Sequence, residues 1–124
     1  MTWKQEIFRA LLLAFGAGQI ITNVQYLIKK NGITLARKQH QELPHNATDK
    51  EMMIKVICML LVGIMFFVVG LISYVTHRYF DLVMLSSLII FSIYGIGEAA
   101  FYRYWKTIGF AATTIVLLGI YIFT

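Results

Sequence analysis

The sequence predicts an all-α, polytopic membrane protein whose four transmembrane helices form an antiparallel bundle. Three observations carry this expectation. Hydrophobic residues fill 59% of the 124 positions and charged residues only 14%, where soluble domains run at roughly half and a quarter. The charges cluster between long apolar runs instead of alternating along them. The runs themselves approach the ~20 residues that a helix needs to cross a bilayer core about 30 Å thick. They are too long for strands, and they lack the alternation of a membrane β-barrel. At this length one transmembrane domain, 1–124, is expected.

The first span, about 8–28, is the most polar, with Gln19, Thr22, Asn23 and Gln25 inside it. A cleaved signal peptide would use Lys4 and Arg9 as its basic start. However, the apolar stretch Ala10 to Phe15 is short and no cleavage site follows. An interfacial helix is a second alternative. The favoured reading is a spanning helix whose polar face is covered by neighbours. Asn31-Gly32 after Lys29-Lys30 suits a helix end, with Gly32 as the left-handed cap and the cations near the dipole's negative end. The connection that follows, about 29–51, is polar and holds the only proline, Pro44. Ile33, Ala36 and Leu43 in it suit a short amphipathic helix at the membrane surface.

Thr48-Asp49-Lys50-Glu51 reads as a capping box. The second span, about 52–76, therefore starts near Asp49, with Lys55 at the interface and no charge from Ile57 to Thr76. The third, about 80–102, has Glu98 as its one charge between Leu82 and Tyr102, and the fourth, about 107–124, has none between Thr107 and Phe123. The links near His77–Asp81 and Arg103–Lys106 are short, and short links force antiparallel neighbours. Spans two to four should thus form a tight unit, with span one attached by the longer loop.

Lys and Arg set orientation. Eight of the eleven fall on the side of the 29–55 segment and the 103–106 link; Lys4, Arg9 and Arg78 fall on the other. The expected location is the cell membrane, with the 29–51 loop cytoplasmic and both termini outside. The Asn46-Ala47-Thr48 sequon then lies in the cytosol and reads as a turn and cap. The net charge of +5 reflects this topology signal. No basic stripe with interleaved aromatics supports nucleic-acid binding.

Intramembrane polar groups are costly unless partnered, so they are the natural place to seek function. Asn23, Glu98 and Thr113 fall at similar depth, roughly 6–10 Å below one surface at 1.5 Å per residue. Gly16, Gln19, Asn23 and Tyr26 share one helix face, and Tyr94, Glu98 and Tyr102 share another. The two stripes are expected to face each other or a common cavity. The candidate polar cluster is therefore Gln19, Asn23, Tyr94, Glu98, Tyr102 and Thr113. Glu98 is its titratable group, able to carry a proton or hold a cation. The competing reading is structural: amides and hydroxyls join helices by hydrogen bonds, and Glu98 pairs with Lys106 or reaches headgroups.

Small residues mark close-packing faces: Gly63 and Gly70; Ser92, Gly95 and Ala99; Gly109 and Thr113; Ala112 and Gly119. Their spacing does not distinguish contacts within the chain from contacts between chains. Trp3, Tyr79 and Phe80 suit one interfacial belt, and Tyr102, Tyr104 and Trp105 the other. The lone Cys58 reads as a packing residue. His40 and His45 read as solvated loop residues, and no catalytic motif, cofactor site or metal pattern is expected, so the chain is not read as an enzyme. Two functions remain. One is an accessory or interaction subunit of a larger membrane complex. The other is a small oligomeric transporter or channel for an ion, proton or small solute, using Glu98 and the amide stripe. Its partners are membrane lipids and a second copy or a larger membrane protein.

Overall fold

A computed structural model describes all 124 residues, and every regular element is a helix. These are α1 (Trp3–Ile28), α2 (Gly32–Gln39), α3 (Asp49–Thr76), α4 (Asp81–Tyr102) and α5 (Trp105–Phe123). All except α2 are long and apolar enough to cross a membrane. The four apolar helices fit a small membrane protein, and α1, despite its amides, is one of them.

Local chemistry sets the helix ends. Thr2 and Gln5 form a reciprocal capping box that starts α1 five residues before the expected span. Thr48 Oγ1 accepts from the Glu51 N–H at 3.1 Å, as expected for α3. The Glu51 carboxylate, however, meets the Thr48 hydroxyl instead of its amide. His77 and Arg103 take left-handed φ values of 55° and 50° and stop α3 and α4. No glycine does so, which corrects the expectation for Gly32. Gly32 instead lets α2 fold tightly back on α1. A Cβ there would fall 1.8 Å from the Tyr26 carbonyl oxygen, inside any permitted contact.

The helices associate in two pairs. α1 packs along α3, and α4 packs along α5, while α3 and α4 meet much less extensively. Spans two to four are therefore not the tight unit that short links suggested. Glycine explains the first pair. Gly16 lies against the backbone of Gly63 and Phe67, Gly63 against Gln19, and Gly70 against Leu13. In the second pair, Gly95 accommodates Ala111 and Thr114, and Ser92 Oγ donates to the Thr114 carbonyl at 3.2 Å. The small faces of α3 and α4 are thus used inside the chain.

Aromatic rings join the pairs at mid-bundle. Phe15 and Phe66 meet Phe91 at centroid distances of 6.0 and 5.2 Å, and Phe91 meets Phe110 at 5.6 Å. At one end the termini are tied together, because Lys4 Nζ donates to the Tyr121 carbonyl at 3.0 Å and Phe8 packs edge-on against Tyr121. Tyr121 in turn donates to Asp81. At the opposite end, α2 and the segment after it fold onto the start of α3. Ala36, Leu43, Ala47, Met52 and Val56 form a second buried cluster there, and Arg37 clasps the Ala47 carbonyl and Asp49. The amphipathic α2 buries its apolar side in the protein.

Candidate functional site

The polar interior is organised by a residue expected at the membrane interface. Lys55 lies one and a half turns inside α3 on its inward face, and its side chain is only 1% exposed. A buried ammonium is tolerated only with counter-charges and hydrogen bonds around it. Lys55 has two carboxylates, Glu42 and Glu98, each 2.9 Å from Nζ. Glu42 comes from the segment between α2 and α3, and Glu98 from the last turn of α4. Phe110 of α5 presents its ring face 4.0 Å from the ammonium, and Tyr94 lies 5.1 Å away. Such aromatic faces stabilise a desolvated cation.

From Glu42 the network continues to α1. His40 Nδ1 lies 3.6 Å from the Glu42 carboxylate, and Nε2 lies 2.9 Å from Asn23 Oδ1. Asn23 donates through Nδ2 to the Gln19 carbonyl at 2.7 Å and to Gln19 Oε1 at 3.0 Å. Its oxygen therefore faces His40 Nε2. The Thr107 hydroxyl of α5 donates to the Glu42 carbonyl. One connected set of polar groups thus fastens α1, the α2–α3 segment, α3, α4 and α5.

Glu42 shows how the opposing effects resolve. Burial alone would raise its pKa, but the adjacent His40 ring and the Lys55 ammonium outweigh it and hold the carboxyl down to about 2. A carboxyl depressed from its ordinary value of 4.5 stabilises the fold above that value and loses this contribution as pH falls toward about 2. Acidification through that window should therefore loosen the 40–48 segment before the helix pairs separate. Amide protection, taken relative to the intrinsic exchange rate at each pH from 5 to 2, is expected to fall first at Leu43 and Ala47. Simultaneous exchange throughout α3 and α5 would refute that order.

Among the sequence candidates, Gln19 and Asn23 are bonded to each other, and Tyr94, Glu98 and Tyr102 border one cavity. The stripes do not face each other directly. The α1 stripe meets α3, through Gly16 and Gln19 against Phe67 and Gly63, and meets the His40 segment through Asn23. It reaches Glu98 only through His40, Glu42 and Lys55. Thr113 does not join the cluster, because it is exposed and its hydroxyl donates to the Gly109 carbonyl. Its neighbour Thr114 is the buried one. Glu98 pairs with Lys55 and not with Lys106, whose ammonium lies over its neighbour Trp105. His40 is 3% exposed and is not a solvated loop residue, whereas His45 is exposed.

The cavity lies between α3 and α4 and has a volume of about 400 Å³. Ile54, Cys58, Gly97 and Phe101 give it mostly apolar walls, and Glu98 and Tyr94 bring polar groups to it. Glu98 Oε2 is engaged by Lys55, but its Oε1 is buried without a hydrogen-bond partner. Comparison with known proteins adds no relative: no family model, curated protein or solved structure matches the chain.

Proposed function

We propose that this chain is a non-enzymatic accessory subunit that docks through α5 against a transmembrane helix of a larger membrane protein. The observation that carries the reading is how the glycines divide. Gly16, Gly63, Gly70 and Gly95 are closely covered within the chain, whereas Gly18 of α1, Gly97 of α4 and both Gly109 and Gly119 of α5 have nothing within 4 Å of where a Cβ would lie, so that α5 alone carries two such positions. Together with the exposed Ala112, Thr113 and Val116 they leave a low, continuous face. In lipid, helices associate by close backbone approach across such small residues. The bias of Lys and Arg supports placing the 29–51 loop in the cytoplasm and both termini outside a cell membrane.

The alternative, an oligomeric transporter using Glu98 and the α1 amides, has less support. Phe15, Phe66, Phe91 and Phe110 fill the middle of the bundle. The amides and one Glu98 oxygen are already committed to partners inside it.

The test is purification of the tagged chain from its native membranes in mild detergent, with mass spectrometry of what accompanies it. A larger membrane protein should co-purify in fixed proportion, and Gly109→Leu with Gly119→Leu should release it while leaving the helix content unchanged. Purification as a lone monomer, or as a homo-oligomer only, would overturn the accessory-subunit reading.

A further inference from the structure

The cavity between α3 and α4 lies away from the outer face of α5 and raises a separate question. Its chemistry is specific. Glu98 is a carboxylate with a side chain only 6% exposed. One of its oxygens faces Lys55, and the other has no partner. A buried acceptor without a donor is costly, particularly on a charged group. Tyr94 borders the same space, yet makes no hydrogen bond of proper geometry to that oxygen. Glu51, Lys55 and Tyr102 also border it, the other walls are apolar, and a volume of about 400 Å³ falls within the range of small-molecule sites, about 300–1,000 Å³.

We infer that this cavity binds a neutral, membrane-resident amphiphile through a hydroxyl group, which donates to Glu98 Oε1 while its chain occupies the α3–α4 groove. The polar end follows from the residues present. An ammonium could also donate to Glu98, but Lys55 already places a positive charge against the same carboxylate, and like charges at such range repel. A phosphate or carboxylate would meet Glu98 as an anion. A hydroxyl carries no charge, donates one hydrogen bond and can accept another from Tyr94. The apolar end follows from the rim. Ile54 is 51% exposed and Phe101 74% exposed, so the cavity opens sideways toward lipid instead of into the bundle. Gly97 at its edge has nothing within 4 Å of a Cβ position, which keeps the opening clear. Glu51 borders the cavity from the first turn of α3, placing the polar end near headgroup depth.

The test uses the full chain in phosphatidylcholine nanodiscs and a twelve-carbon alcohol carrying a mid-chain diazirine. Photolysis should label the Ile54–Cys58 and Gly97–Tyr102 segments above the rest of the lipid-facing surface. Unlabelled 1-dodecanol should compete better than its methyl ether by about tenfold or more, the loss expected when a charged acceptor is left unpaired. Gly97→Phe should block labelling with unchanged thermal unfolding, since its ring would fill space now open. Even labelling of all helices, equal competition by the ether, or full labelling of a folded Gly97→Phe variant would each overturn the site. Stronger competition by dodecylammonium would overturn the neutral class, and equal competition by 1-butanol the membrane-resident source. The competitor series on the unsubstituted chain decides the matter even if the variant fails to fold.

Discussion

Replacement of Lys55 by methionine is expected to lower the stability of the chain by about 3–5 kcal/mol, the range for removing one partner of a buried ion pair. The side chain is nearly inaccessible, and both carboxylates depend on it for their counter-charge. Methionine has nearly the length to fill the space, so the loss reports charge more than volume. The conclusion can be checked by restoring neutrality. Lys55→Met combined with Glu42→Gln and Glu98→Gln should recover much of the loss, because no uncompensated charge remains in the interior. Unfolding followed by circular dichroism in a single detergent measures both effects. A loss below about 1 kcal/mol for Lys55→Met would equate the cluster with a solvated surface pair and would reject the description of it as a buried fastening.

Gly16→Ala is the second substitution expected to have a large effect, although it adds one methyl group. Its Cβ would lie 2.5 Å from the Phe67 amide nitrogen and 2.6 Å from the Gly63 carbonyl oxygen. Both are backbone atoms in a helix, so relief requires moving α1 away from α3 along the whole seam. Overpacking of this kind costs about 1–3 kcal/mol. Gly18→Ala, two residues along, supplies the control. Nothing lies within 4 Å of its added carbon, and alanine improves a helix interior by roughly 0.5–1 kcal/mol over glycine. Thermal unfolding of the two variants should therefore move in opposite directions. Equal midpoints would mean that α1 and α3 are not in contact through Gly16.

The four apolar spans were legible because bilayer thickness translates directly into run length and composition. Which helix pairs with which was not. Short links between α3, α4 and α5 argued for one tight unit, but close packing in a membrane follows small residues, and Gly16, Gly63 and Gly70 bring α1 onto α3 from across a twenty-residue connection. The polar layer was half legible. Asn23 and Glu98 stood out because each interrupts an apolar run. Lys55 was assigned to the interface for its proximity to a helix start, although it falls on the same face as Met52, Met59, Val62 and Phe66, all buried. That periodicity was the available signal. Glu42 and His40 offered none, because their burial depends on α2 folding back over α3, a tertiary arrangement with no local pattern around either residue. Thr113 and Thr114 show the limit of depth arguments, since adjacent residues at one depth project about 100° apart around the helix.

The alternating partnership of the helices has a consequence for synthesis. During translation α1 leaves the ribosome ahead of α3, with its amide-bearing face not yet packed, and α3 follows only after α2 and the loop. Asn23, whose amide nitrogen already bonds Gln19 within α1, acquires His40 seventeen residues later, so its oxygen is matched by the intervening segment before α3 is complete. The second pair, α4 and α5, can enter as a hairpin once the first has closed. A chain interrupted after α3 should therefore hold α1 firmly in the bilayer, whereas one interrupted within the 29–48 segment should leave α1 extractable by alkaline carbonate. Membrane insertion of the least apolar helix would then be fixed retrospectively, by sequence that has not yet been made when that helix first meets lipid.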